Sequence, residues 1–111
     1  MVNEDIINKV NQFRDERNWR KFHNEKDLSL SISIEAAELL ELFQWKESAD
    51  VVENNKSRIS EELADVLIYS IMLAENMGFN INEIIENKLK LNNEKYPIQN
   101  VYGHAKKYND L

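Results

Sequence analysis

The chain has no cysteine, a single proline and only two glycines in 111 residues. Without cysteine there is no disulfide framework, and folding is indifferent to the redox state of the compartment. Scarce glycine and proline leave few turn points, which favours long helices over many short strands. No apolar run approaches the ~20 residues needed to cross a bilayer. The opening Met1-Val2-Asn3-Glu4-Asp5 is acidic where a secretory signal would be basic and then apolar, so a cytoplasmic location and no membrane partner are expected. Positive charge is also short: the formal net charge is −6. That argues against a nucleic-acid polymer as partner, since phosphate chains are normally met by basic patches. It does not bear on a single nucleotide that arrives with its own metal ion.

What is present is a soluble composition, 42% hydrophobic and 31% charged. The length fits one domain, residues 1–111, with a modest core. Asn3 can cap a first helix, with Glu4 and Asp5 in its first turn and Ile6, Val10 and Phe13 as its apolar stripe, running to about Asn18. A loop carrying Trp19, Phe22 and His23 follows. Leu28-Ser29-Leu30-Ser31-Ile32-Ser33-Ile34 alternates like a strand, yet it runs without a break into the helix-forming Glu35–Phe43. One helix from about Asp27, its cap, to Lys46 is therefore predicted. Glu47–Lys56 is polar and reads as a loop or the lead-in to the next helix. Ser57 or Ser60 opens a third helix that Gly78 closes in a left-handed conformation. Asn80-Ile81-Asn82-Glu83 is a capping box for a fourth helix, which must end before Pro97. The tail from Ile98 to Leu111 reads as irregular. The expected class is all-α, a four-helix, bundle-like domain.

The most informative feature is two acidic pairs, Glu35/Glu38 and Glu62/Asp65, each at i, i+3 spacing inside an apolar helix. Residues three apart share a helix face, so each pair presents two carboxylates side by side. Neither segment supplies a nearby Lys, Arg or His on that face. Carboxylates beside Leu and Ile need a cation, a proton or a metal ion. Two such helices packed together would gather four carboxylates, a ligand set suited to a hard divalent cation such as Mg²⁺. Taken alone, either pair is most often a solvated face; their joint occurrence on successive apolar helices changes the balance. A di-iron carboxylate bundle would use Glu-x-x-His, and neither His23 nor His104 lies three residues after a glutamate of these helices. Trp19 and Trp45 taken singly read as core or interface residues, and Tyr69 as a core tyrosine.

The third helix carries Leu63, Val66, Leu67, Ile68, Ile71, Met72, Leu73 and Ala74 over most of its circumference. A helix apolar nearly all round is buried all round. Four helices cannot easily enclose one of their own, so a homo-oligomer is expected.

Taken together, these residues resemble the MazG-type all-α nucleoside triphosphate pyrophosphohydrolases, and within them the small dCTP pyrophosphatase branch. The similarity lies in Arg17-Asn18-Trp19 with Phe22-His23, in Glu35 to Leu42-Phe43-Gln44-Trp45, and in Glu61–Tyr69. It continues through Lys88, Asn92 and Lys95-Tyr96-Pro97 to Lys107-Tyr108. The resemblance implies hydrolysis of a nucleoside triphosphate to monophosphate and pyrophosphate, with Mg²⁺ (or Mn²⁺) at Glu35, Glu38, Glu62 and Asp65. It implies base and sugar contacts at Trp19, His23, Trp45 and Tyr69, and phosphate contacts at Lys88, Asn92 and Lys95. It also implies a tetramer ahead of a dimer. Relatives in the dCTP branch can carry a histidine nine residues before the tryptophan that matches Trp19; here Val10 stands there, which leaves the base preference open. Two other readings remain, an all-α dUTP-type diphosphatase with the same metal site and a non-catalytic helical interaction module.

Phosphoryl chemistry asks mainly for positioning and charge neutralisation. Metal-held carboxylates supply both, and Glu35 or Glu38 would serve as the base that takes a proton from water. Lys88 and Lys95, seven residues apart, share a helix face from which they would steady the departing pyrophosphate.

Overall fold

The computed structural model describes residues 3–105. Six α-helices and a 3₁₀ turn follow one another: α1 (Glu4–Glu16), the turn Arg20–Phe22, α2 (Glu25–Glu41), α3 (Ser48–Asn54), α4 (Lys56–Asn76), α5 (Ile81–Lys95) and α6 (Ile98–Val101). No strand occurs among the described residues.

Local chemistry sets the helix ends. Asn3 Oδ1 accepts the Ile6 N–H at 3.1 Å and opens α1. Asn18 closes it at φ +52°: its N–H donates to the Asp15 carbonyl at 3.0 Å, and the Trp19 N–H donates to the Arg14 carbonyl at 2.9 Å. Gly78, at φ +68°, closes α4 in the same way, with Gly78 N–H on the Glu75 carbonyl (3.2 Å) and Phe79 N–H on the Ala74 carbonyl (2.9 Å). These paired bonds satisfy carbonyls that a helix end would leave bare. At α5, Asn80 Oδ1 accepts the Glu83 N–H at 3.0 Å, as the capping box predicts, and the helix ends before Pro97.

Several boundaries differ from the sequence-based expectation. The alternating run is helical throughout, but the cap of α2 is Asn24, not Asp27; Asn24 Oδ1 accepts the Asp27 N–H at 2.8 Å. The helix ends at Glu41 rather than Lys46, because Leu40–Lys46 folds into tight turns with Trp45 at φ +63°. The expected loop at Glu47–Lys56 contains α3, held to the body by Val51, which is 1% exposed. There tertiary burial overrides weak local propensity. The supposedly irregular tail forms the short α6, and residues 106–111, with Lys107 and Tyr108, lie outside the described residues.

The α2–α4 pair is the main packing unit, and α1 and α3 lie against α4. Leu28, Ile32, Glu35 and Leu39 follow one another at helical spacing along the covered face of α2. On α4 the matching series is Ile59, Glu62, Val66 and Tyr69. The acidic pairs are thus carried by the same faces that build the core. That core is small: Val10, Leu28, Ile71 and Met72, with Ile7, Ile68, Tyr69, Leu73 and Ile81 packed on it. Beyond Ile81, α5 contributes no residue to this core, and Ile84, Ile85, Leu89 and Leu91 stand exposed along it. Leu63 and Leu67 on α4 are exposed as well. The radius of gyration is 17.2 Å, against about 13 Å for a compact chain of this length. No helix among the described residues is long and apolar enough to cross a membrane.

Candidate functional site

Side-by-side packing of α2 and α4 brings Glu35, Glu62 and Asp65 together, each offering a carboxylate oxygen within 4.8 Å of the others. Glu35 and Glu62 are half-buried, and one oxygen of each (Oε2) is buried without a hydrogen-bond partner. Buried acceptors of that kind are costly when unsatisfied, so this is not a solvated helix face. The arrangement suits a divalent cation, which takes carboxylate oxygens from several side chains at once. The fourth predicted carboxylate, Glu38, is exposed and stands outside the three-oxygen group. Its carboxyl is pushed above the ordinary range, chiefly by hydrogen bonding with Glu35, while Glu62 acts in the opposite sense.

One expectation is corrected here. The acidic face does have a cation: Arg58 Nη2 lies 3.4 Å from Glu62 Oε1, one helical turn before it. The Arg58 side chain is largely exposed, and an i, i+4 pair of this type adds only ~0.3–0.5 kcal/mol. It leaves the other Glu62 oxygen unsatisfied.

Beside the carboxylates opens a mostly apolar cavity of about 480 Å³, lined by Val10, Phe13, Trp19, His23, Tyr69 and Met72 among others, with Asp65 on its wall. Its size is that of an ordinary small-molecule site. The Schellman-type end of α1 builds one wall, since it folds Trp19 back against Phe13 with ring centres 5.6 Å apart and edge to face. Arg17 covers the Phe13 ring at 3.9 Å from outside. His23 meets Trp19 edge-on at 6.4 Å. Burial, then the charges of Arg14 and Arg20, pushes the His23 imidazole below its ordinary value. Burial, then the carboxylates Glu35, Asp65 and Glu38, pushes the Tyr69 hydroxyl up. Val10 adds apolar surface to the cavity.

Trp19, His23, Tyr69 and Asp65 are therefore brought together as expected. Trp45 is not: it is 93% exposed in the α2–α3 connection and does not line this cavity. Lys88, Asn92 and Lys95 lie on α5, which has no buried residue, and none of them lines the cavity. Sequence reasoning missed Phe13 and Met72 as walls, having read them only as apolar stripe. It missed Arg14 altogether, and no signal in the sequence marks that residue as buried.

The depressed His23 imidazole has a consequence for stability. The folded state favours the neutral ring, so its contribution is complete above the unfolded value of about 6.5 and is lost as pH falls through the lower folded value. Thermal melts at pH 7 and pH 5 should show a steeper decline for the native chain than for His23→Gln. Parallel declines would mean that the ring is not held neutral.

An all-α chain with a three-carboxylate cluster and an adjoining aromatic cavity is the class that fold and site define. The sequence profile of the MazG-like family matches residues 30–111, and the chain belongs to that family. It is 36% identical to dCTP pyrophosphatase 1 of Rattus norvegicus and 33% identical to that of Homo sapiens, in each case over 97% of this chain. The chain spans 66% of the length of these relatives. A crystal structure of a pyrophosphatase from Archaeoglobus fulgidus superposes with a TM-score of 0.80 at 45% identity, covering 85% of this chain and 91% of that one.

Proposed function

We propose that the chain hydrolyses nucleoside triphosphates between the α and β phosphates, giving the monophosphate and pyrophosphate, with dCTP or a modified pyrimidine deoxynucleotide as substrate. The observation that carries the reading is that Asp65 belongs both to the carboxylate cluster and to the wall of the aromatic cavity. A base between Trp19, His23 and Tyr69 then leaves its phosphates facing the carboxylates. The similarity to proteins named dCTP pyrophosphatase and pyrophosphatase supports the reaction and the pyrimidine.

Glu35, Glu62 and Asp65 would hold the ion, Mg²⁺ by preference with Mn²⁺ as substitute. When bound, it supplies neutralisation of phosphate charge and a more acidic water. Glu38, beside the cluster and hydrogen-bonded to Glu35, is the carboxylate left to accept the proton of the attacking water. Trp19 offers a ring face to the base, a contact worth ~1–3 kcal/mol and tolerant of base identity.

The active form is a homo-oligomer. One chain exposes 8827 Å², against about 6,400 Å² for a folded monomer of its mass. The excess is larger than the ~800 Å² that one partner contributes to a standard interface, and it is of the size that obligate oligomers bury. A second copy laid on the open face of α5 would cover its apolar residues and carry Lys88, Asn92 and Lys95 toward a neighbouring carboxylate cluster.

The metal reading is tested by melting the protein in EDTA and in Mg²⁺. An ion present at about 100 times its Kd adds ~2.7 kcal/mol to stability, an upward shift on the order of 10 °C in a domain of this size. In Glu35→Gln the shift should shrink or vanish. An unchanged melting temperature at millimolar Mg²⁺, with and without nucleotide, would contradict the site.

A further inference from the structure

Among the described residues, Arg14 is the one charged residue in the core, 0% exposed on the last turn of α1. Its Nη2 donates to Asn76 Oδ1 at 3.0 Å, while its Nε and Nη1 are buried without partners. Burial and the charge of Arg20 disfavour its charged form; Asp15 and Glu75 favour it, and Glu75 is itself held by Asn11 Nδ2 at 2.9 Å. A guanidinium with two unpaired nitrogens is a poor source of stability, and an apolar side chain of similar volume would serve the core at least as well.

What Arg14 touches gives it another use. Its carbonyl accepts the Trp19 N–H at 2.9 Å. Its guanidinium holds Asn76, and Asn76 Nδ2 in turn donates to the His23 carbonyl. Trp19 and His23 are the residues on either side of the 3₁₀ turn Arg20–Phe22, and both line the aromatic cavity. The end of α1 and the end of α4 are thus tied to both flanks of one short turn, to Trp19 by the Arg14 main chain and to His23 by the Arg14 side chain through Asn76.

We propose that the Arg14 side chain is a positioning group for the aromatic cavity: through Asn76 it holds His23, and with it the 3₁₀ turn that Trp19 opens. The inference rests on that cavity being the base site. It assigns to Arg14 no contact with substrate, and its effect is on nucleotide binding rather than on the chemical step.

Asn76→Asp separates positioning from stability. The carboxylate keeps an acceptor for Arg14, now as an ion pair, but sets an oxygen instead of a donor against the His23 carbonyl. Its melting temperature should equal or exceed that of the native chain. Amide hydrogen exchange across residues 20–24 should quicken by about tenfold or more as the turn is released. KM for the nucleotide should rise by about fivefold or more with kcat within about twofold, the pattern of lost uniform binding. Arg14→Met is the second variant, well packed yet untethered, and should raise KM in the same way; Arg14→Lys, which keeps a charged nitrogen able to donate to Asn76, should raise it less. Unchanged exchange in Asn76→Asp would overturn the tether. Faster exchange with unchanged KM in both Asn76→Asp and Arg14→Met would overturn the positioning role while leaving the proposed reaction intact. A native chain that neither binds nor cleaves any nucleoside triphosphate would overturn the proposed reaction, and this inference with it.

Discussion

Replacing Asp65 by asparagine is expected to lower nucleotide hydrolysis by at least ~10²-fold while the protein folds as well as before, or better. The substitution keeps size and shape and removes one negative charge from a group in which Glu35, Glu62 and Asp65 lie within 4.8 Å of one another. Less mutual repulsion means an equal or higher melting temperature in the absence of metal. The loss of rate follows from weaker metal binding and from transition-state charge that is no longer offset, together several kcal/mol. At an ordinary solvated position the same change would alter stability by less than ~0.5 kcal/mol and nothing else. Steady-state rates and thermal melts on the two proteins separate the cases. Native turnover in a folded Asp65→Asn protein would remove the carboxylate cluster from the chemistry.

The second large effect concerns assembly. Ile85 and Leu89 lie one helical turn apart on α5, about half exposed in the single chain. Changing both to glutamate places two charges where a partner copy is proposed to lie, and uncompensated burial costs several kcal/mol per ion. Sedimentation or light scattering at micromolar concentration should show a tetramer or dimer for the native chain and a monomer for the double variant. Because Lys88, Asn92 and Lys95 are proposed to act across the interface, turnover should fall with dissociation by about tenfold or more. A native chain that is monomeric at these concentrations would contradict the assembly. A monomeric variant with full activity would contradict only the contribution of α5 in trans.

The parts of the fold legible in the sequence are those whose signals are local. Asn3, Gly78 and Asn80 act through their own backbone neighbours, and each caps or closes a helix where the residue types require it. The strand-like run Leu28–Ile34 was resolved by the absence of any break before Glu35, and it is helical along its length. Other features depend on tertiary contacts that no window of sequence contains. α3 is polar and short and exists because Val51 finds a place in the body. Asn24 and Asp27 are both good caps; the structure uses Asn24, with Asp27 hydrogen-bonded to it from the first turn. The i, i+3 pairs point to a face of carboxylates, yet which three come within 4.8 Å of one another follows from how α2 lies on α4, with Glu38 hydrogen-bonded to Glu35 beside them. Arg14 gave no warning, because a charged side chain on an amphipathic helix is normally solvated.

The most direct measurement is pyrophosphate release from a panel of deoxynucleoside triphosphates with Mg²⁺, each paired with an EDTA control. Cleavage between the α and β phosphates predicts pyrophosphate and the matching monophosphate in equal amounts, most rapidly for a cytosine or modified-pyrimidine nucleotide, and no product in EDTA. Orthophosphate as the first product, or no metal-dependent release from any nucleotide on the panel, would contradict the proposed reaction.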